Sequence, residues 1–255
     1  MIRESVEVYG QVPFSSYNGA QIIYSNLIDK YFYTIQAGYG KEELTVPIHS
    51  LNQKVDVEID NLYTLNLTFG TTALQARVTY LNADITASNQ DLNQLFKNLR
   101  ISGLSALADQ YEYKDKRSEY LSFGLFLDYK NFLFSTEYGQ RKIASFFADT
   151  HGYSITLAYS FNKLIPFITY AQSEMDEATY DANTASDDLN TLLRAQNLAQ
   201  TSKTVGIKYY INNNLDIKFQ YEYVTPKGDF GSYHLSSLEK PQNLNVFSFA
   251  MDFIF

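Results

Sequence analysis

Asn243-Leu-Asn-Val-Phe-Ser-Phe-Ala-Met-Asp-Phe-Ile-Phe255 closes the chain, and it alternates with period two. Phe247, Phe249, Met251, Phe253 and Phe255 share one parity, while Ser248, Ala250 and Asp252 share the other. A strand sends alternate side chains to opposite faces. The segment therefore has one aromatic, apolar face and one small, polar face. An apolar residue at a chain end that frays in water is out of place. It fits a strand whose greasy side meets lipid and whose other side meets a wet lumen.

The same alternation recurs along the chain and predicts strands near 19–28, 31–40, 54–69, 73–86, 118–130, 132–142, 152–161, 163–173, 201–212, 214–225 and 243–255. Tyr63, Leu65, Leu67 and Phe69 oppose Thr64, Asn66 and Thr68. Ile217, Phe219, Tyr221 and Tyr223 oppose Lys218, Gln220 and Glu222. A soluble sandwich also alternates, but its inner face would hold more Val, Ile and Leu and fewer aromatics at the strand ends.

The connections sort into two kinds. Asp29-Lys30, Gly70-Thr71-Thr72, Lys130-Asn131, Asn162-Lys163 and Asn212-Asn213-Asn214 are tight and carry hairpin residues. The intervening connections, 41–53, 87–117, 143–151, 174–200 and 226–242, are long. Short turns at one end and long loops at the other are the plan of an outer-membrane barrel, with the short end periplasmic. The expected fold is thus all-β: one antiparallel transmembrane β-barrel domain over 1–255. Eleven strands are countable and single-chain bacterial barrels use even numbers, so the expectation is either that Val6-Glu-Val-Tyr-Gly-Gln-Val12 supplies a twelfth or that an odd number of strands is missing at the start.

Composition agrees. No run approaches the length of an apolar membrane helix. The slightly negative mean hydropathy is what a barrel gives when half of each strand faces water. The chain has 22 Tyr and 18 Phe, which suit an interfacial belt. A net charge of −8 without a basic patch argues against nucleic acid. The absence of cysteine removes disulfides and thiolate chemistry. Met1-Ile-Arg-Glu-Ser-Val-Glu does not read as an export signal, so the expectation is either that one was removed or that the chain starts within a longer protein.

Val8-Tyr-Gly-Gln-Val-Pro-Phe-Ser-Ser-Tyr-Asn-Gly-Ala20 resembles a stretch found midway through the Gram-negative general porins, and Asn245 to Phe255 resembles the last strand of that family. The resemblance implies either the C-terminal portion of a porin of about sixteen strands or a shortened relative closed by about twelve. It further implies a bacterial outer-membrane location, a homotrimer, and, for the portion, missing strands or a second polypeptide that completes the barrel. An open edge in lipid leaves backbone groups unpaired.

By parity, the inward face carries Asp56, Glu58, Asp60, Arg77, Asp128, Lys130, Glu137, Lys208, Lys218 and Glu222. These are the expected pore-lining residues, because charge is costly on the lipid face and rings of charge set ion selectivity. Their acidic excess predicts a mild cation preference. The alternative is that they form salt bridges across a plugged lumen. Residues 89–108 and 187–199 carry helical spacing within long loops, with Asp187 the expected N-cap of the second. Local packing on the barrel, constriction of the pore mouth and binding of an outside partner are all open to these helices.

Chemistry is otherwise sparse. His49, His151 and His234 fall in expected loops, with no Ser-and-Asn or paired-Asp arrangement beside them. Asp176-Glu177 and Asp187-Asp188 read as hydrated loop carboxylates rather than a divalent-cation site. No cofactor motif occurs. The expectation is a passive channel for small hydrophilic solutes or ions, embedded in outer-membrane lipid and not an enzyme. The competing expectation is a non-conducting barrel that uses its extracellular loops to bind a partner.

Overall fold

A computed structural model describes residues 4–12, 14–48, 53–182, 186–227 and 242–254. A short α1 (Val6–Tyr9) precedes β1 (Asn18–Ile28), β2 (Tyr31–Ile48), β3 (Gln53–Gly70) and β4 (Leu74–Ser88). Two helices follow, α2 (Gln90–Ile101) and α3 (Ser105–Tyr111). Then come β5 (Lys116–Tyr129), β6 (Phe132–Ile143), β7 (Thr150–Tyr159) and β8 (Leu164–Met175). The chain continues with α4 (Asp187–Ala195), β9 (Gln200–Asn212), β10 (Leu215–Pro226) and β11 (Leu244–Phe253).

The eleven strands make one antiparallel sheet in sequence order, each paired with its neighbours in the chain. All eleven expected strands are therefore present. The expected twelfth is not a strand. Val6–Tyr9 is a single helical turn ended by Gly10, and it lies against β6, β7 and β8. β1 and β11 do not pair with each other among the described residues. Phe255, His49, His234 and most of the loop expected at 226–242 lie outside the described residues.

The expected loop 41–53 is also largely strand. β2 and β3 each run 18 residues and stay paired out to Ile48 and Gln53. At roughly 3.3 Å per residue such a strand is about 60 Å long, about twice the hydrocarbon core. Their far halves therefore extend past the length of the other strands.

There they meet the loop helices. Val55, Val57 and Ile59 of β3 are buried against Leu92, Phe96 and Leu99 of α2 and Leu189 and Leu193 of α4. Both helices are capped as isolated helices need. Asn89 Oδ1 accepts from Leu92 N–H at 2.8 Å, and Ser186 Oγ accepts from Leu189 N–H at 3.3 Å. The N-cap of α4 is thus Ser186, with Asp187 the first helical residue. The helical stretch expected over 89–108 is broken at Gly103, whose φ of 79° a β-carbon would oppose.

Candidate functional site

One face of the sheet is bare and the other is covered by α1 and the loop helices. The bare face carries the aromatic stripes: Leu65, Leu67 and Phe69 of β3 are exposed, and Phe247 and Phe249 of β11 are 67% and 68% exposed. The covered face carries Ser154, Thr169, Ser202, Thr204, Gln220 and Glu222, all buried. Paired residues share a face, so the ladder carries this assignment from strand to strand.

The assignment reverses along β3. Between Asp60 and Tyr63 the register shifts against β4, and the matching shift occurs against β2, so β3 carries one extra residue there. Asn61 takes up the extra length with φ at 49°. Its side chain is held on the bare face, where Tyr39 OH donates to Oδ1 at 3.1 Å and Nδ2 donates to Asp84 Oδ2 at 2.9 Å. One inserted residue flips every side chain beyond it. Below the bulge the apolar parity points out. Above it Val55 and Ile59, each 1% exposed, point in.

This bulge relocates three of the residues assigned inward by parity. Asp56, Glu58 and Asp60 are exposed on the bare side of the sheet, above the bulge, and Asp56 Oδ1 accepts from Thr45 Oγ1 at 2.8 Å. Lys130 is not on either face. It is the first residue of the β5–β6 turn, with φ at 56° and Nζ 5.2 Å from the Tyr129 ring.

The other six lie on the covered face. Arg77 stands 5.7 Å over the Phe126 ring and shares a small cavity at the tight-turn end with Asp128. Lys208 pairs with Asp216 at 3.0 Å, and Lys218 pairs closely with Asp252. Glu222 is buried midway along β10. Glu137 accepts a short hydrogen bond from the Tyr9 hydroxyl, which ties the wall to the segment lying across it.

That segment is the part of the site that period-two reading missed. Glu7, 1% exposed, accepts from Gln200 Nε2 at 2.7 Å through its Oε1. Gln11 Nε2 donates to Gly139 O at 3.2 Å, and Arg141 Nη1 donates to Gln11 O at 3.0 Å. The approach is close because the wall is glycine there. A Cβ at Gly152 would sit 2.1 Å from Glu7 O. Glycines within strands mark close approaches, so Gly152 and its partner Gly139, which makes room for the Tyr120 ring whose hydroxyl donates to Val8 O at 3.4 Å, are the trace the sequence holds.

No protein-family model matches the sequence, and no curated protein matches it. Solved structures do. OmpF of Salmonella typhi superposes with a TM-score of 0.53 at 15% identity, over 91% of this chain and 61% of that one. OmpT of Vibrio cholerae, an outer membrane protein, superposes with a TM-score of 0.51 at 13% identity, over 91% and 63%. The fold is that of an outer-membrane β-barrel. The chain spans about three fifths of the length of these relatives. The bare aromatic face is then the lipid-facing side of a barrel wall, and the covered polar face is its lumenal side.

Among the histidines, His151 lies on β7 rather than in a loop, with Nδ1 2.6 Å from Asp176 Oδ1. No group of three His, Cys, Asp or Glu able to hold a metal occurs among the described residues.

Proposed function

We propose that the chain forms the wall of a passive channel of the bacterial outer membrane, admitting small hydrophilic solutes or ions without catalysis. The observation that carries this reading is the lumenal face from β6 to β10: a largely polar surface with α1 held across it by Glu7, Tyr9 and Gln11. Such a segment narrows a lumen without filling it. Conductance of the reconstituted protein in planar bilayers tests the reading, and stepwise openings are expected.

A mild cation preference goes with it. Lys208 and Lys218 are engaged by Asp216 and Asp252. Beyond those pairs the face carries Glu7, Glu42, Asp128, Glu137 and Glu222 against Arg77, Lys116 and Arg141. The pore-lining set we propose is Arg77, Asp128, Glu137, Lys208, Lys218 and Glu222. A reversal potential of the anion-selective sign in a salt gradient would overturn it.

Among the described residues the outer edges of β1 and β11 have no strand partner, which bears on assembly. Every residue of β1 is exposed. In lipid, unpaired N–H and C=O groups are costly, so we propose that strands outside this sheet pair with both edges to complete the barrel. A second polypeptide is one source, and a homotrimer is the assembly the porin resemblance implies. Mass measurement in native detergent complexes tests both. A second reading, a barrel closed to solutes, is favoured by the apolar packing of α2 and α4 on the inward side of β3. Silence in the bilayer assay with folded protein would select it.

A further inference from the structure

We infer that the barrel wall holds a binding site for a small amphiphilic monocarboxylate, between α1 and the sheet. The site is a cavity of about 350 Å³ between residues 6–12 with Phe14 and strands β2 to β6, roofed by the end of α4. Its size is that of an ordinary small-molecule pocket. Its walls are overwhelmingly apolar: Val12 and Phe14 from the segment, Val57, Leu81 and Ile85 from the sheet, and Leu198 beyond α4. Water is a poor occupant of such a surface.

One charge faces this lining. Arg141 has five N–H donors. Three are committed, to Gln11 O at 3.0 Å, Ala148 O at 3.2 Å and Thr150 Oγ1 at 3.3 Å. Nε has no acceptor, and one N–H of Nη1 remains. No carboxylate forms an ion pair with the guanidinium among the described residues. Asp149 attracts it from further away and accepts from Ile143 N–H at 2.7 Å. The guanidinium stands 5.8 Å over the Phe147 ring, which offsets only part of the cost of a charge held there without a paired anion. Gln196, also on the lining and buried, leaves Nε2 without a partner.

Two unpartnered donors on a largely apolar wall, which also holds the amide groups of Gln11 and Asn82, define the occupant. A planar carboxylate accepts from Arg141 and neutralises the one charge, with Gln196 a second donor on the same lining. An apolar body fills the rest. A second charge on the ligand would find no oppositely charged side chain on this lining, which disfavours dianions and zwitterions.

The probe is 4-phenylbutyrate, with 4-phenylbutanol as its uncharged isostere, on the full chain refolded in detergent and followed by saturation-transfer NMR. Saturable binding of the acid is expected, about tenfold tighter than the alcohol. R141Q should erase that difference. Because Arg141 also anchors Gln11, A83F offers a second arm: it fills the cavity from β4 and leaves the guanidinium in place, and it too should abolish binding. Folding of each variant is read from heat-modifiable gel mobility. Equal affinity for acid and alcohol, unchanged binding in A83F, or no saturable binding to the folded protein would overturn the assignment. Conductance plays no part in these readouts, so failure here is distinct from failure of the channel reading.

Discussion

Gln200 on β9 donates to the carboxylate of Glu7 on α1 at 2.7 Å, a hydrogen bond that spans 193 residues of sequence. Burial pushes the Glu7 carboxyl above its ordinary value of 4.5, outweighing the Gln200 and Ser202 hydrogen bonds that favour the ionised form. A group whose folded pKa lies above its unfolded value binds its proton more tightly when folded. The docked segment is therefore most stable at pH below about 4.5 and loses that advantage as pH rises through the folded pKa. Amide exchange of residues 5–11 should quicken as pH is raised from 4.5 to 8, after correction for intrinsic exchange. E7Q should flatten the dependence. A segment whose protection rises with pH would contradict it.

Gly152 offers a way to remove the segment without touching it. A side chain there would meet Glu7 O at 2.1 Å, and the obstruction is backbone rather than a flexible tip. G152V should displace α1 while adding a β-favoured residue to β7. Unitary conductance is expected to rise relative to the parent protein, with gel mobility of the folded form retained. Unchanged conductance would mean that α1 does not narrow the solute path.

The bulge in β3 makes two claims that urea titration can separate. Asn61 sits at φ 49°, a region that costs a residue with a β-carbon about 1–2 kcal/mol unless its side chain bonds locally. N61A should lose about that amount, and N61G markedly less. Beyond the bulge, I59A should cost about 2–4 kcal/mol, because Ile59 is 1% exposed within the apolar cluster. E58A, one residue away on the exposed side, should stay within about 0.5 kcal/mol. The reverse ordering would put Glu58 inside.

That bulge also marks where the sequence stops being legible. Period two located all eleven strands, because each has ten or more residues that must alternate between lipid and lumen. Parity can be extended along a strand only while no residue is inserted, and nothing in Val55-Asp-Val-Glu-Ile-Asp-Asn61 announces the insertion: the run alternates perfectly on either reading. Hence Asp56, Glu58 and Asp60 were assigned inward and stand outward. Val6–Val12 failed for a different reason. Four alternating residues suit a strand as well as a helical turn, and the choice is made by Gly139, Gly152 and Gln200, more than 120 residues away in sequence.

Lys130 provides a last test, in a turn rather than on a face. Three tight turns place a non-glycine residue in the left-handed region: Asp29 at 54°, Asn162 at 54° and Lys130 at 56°. Asp and Asn tolerate that conformation because their short side chains bond to nearby backbone. Lys has no such compensation, and its contact 5.2 Å over the Tyr129 ring at an exposed site returns only about 0.5 kcal/mol. K130N should therefore raise the unfolding free energy by about 0.5 kcal/mol, and N162K should lower it by a similar amount. Lys130 lies at the turn, so ion selectivity should be the same in K130N as in the parent. A shift in reversal potential would instead return Lys130 to the lumen.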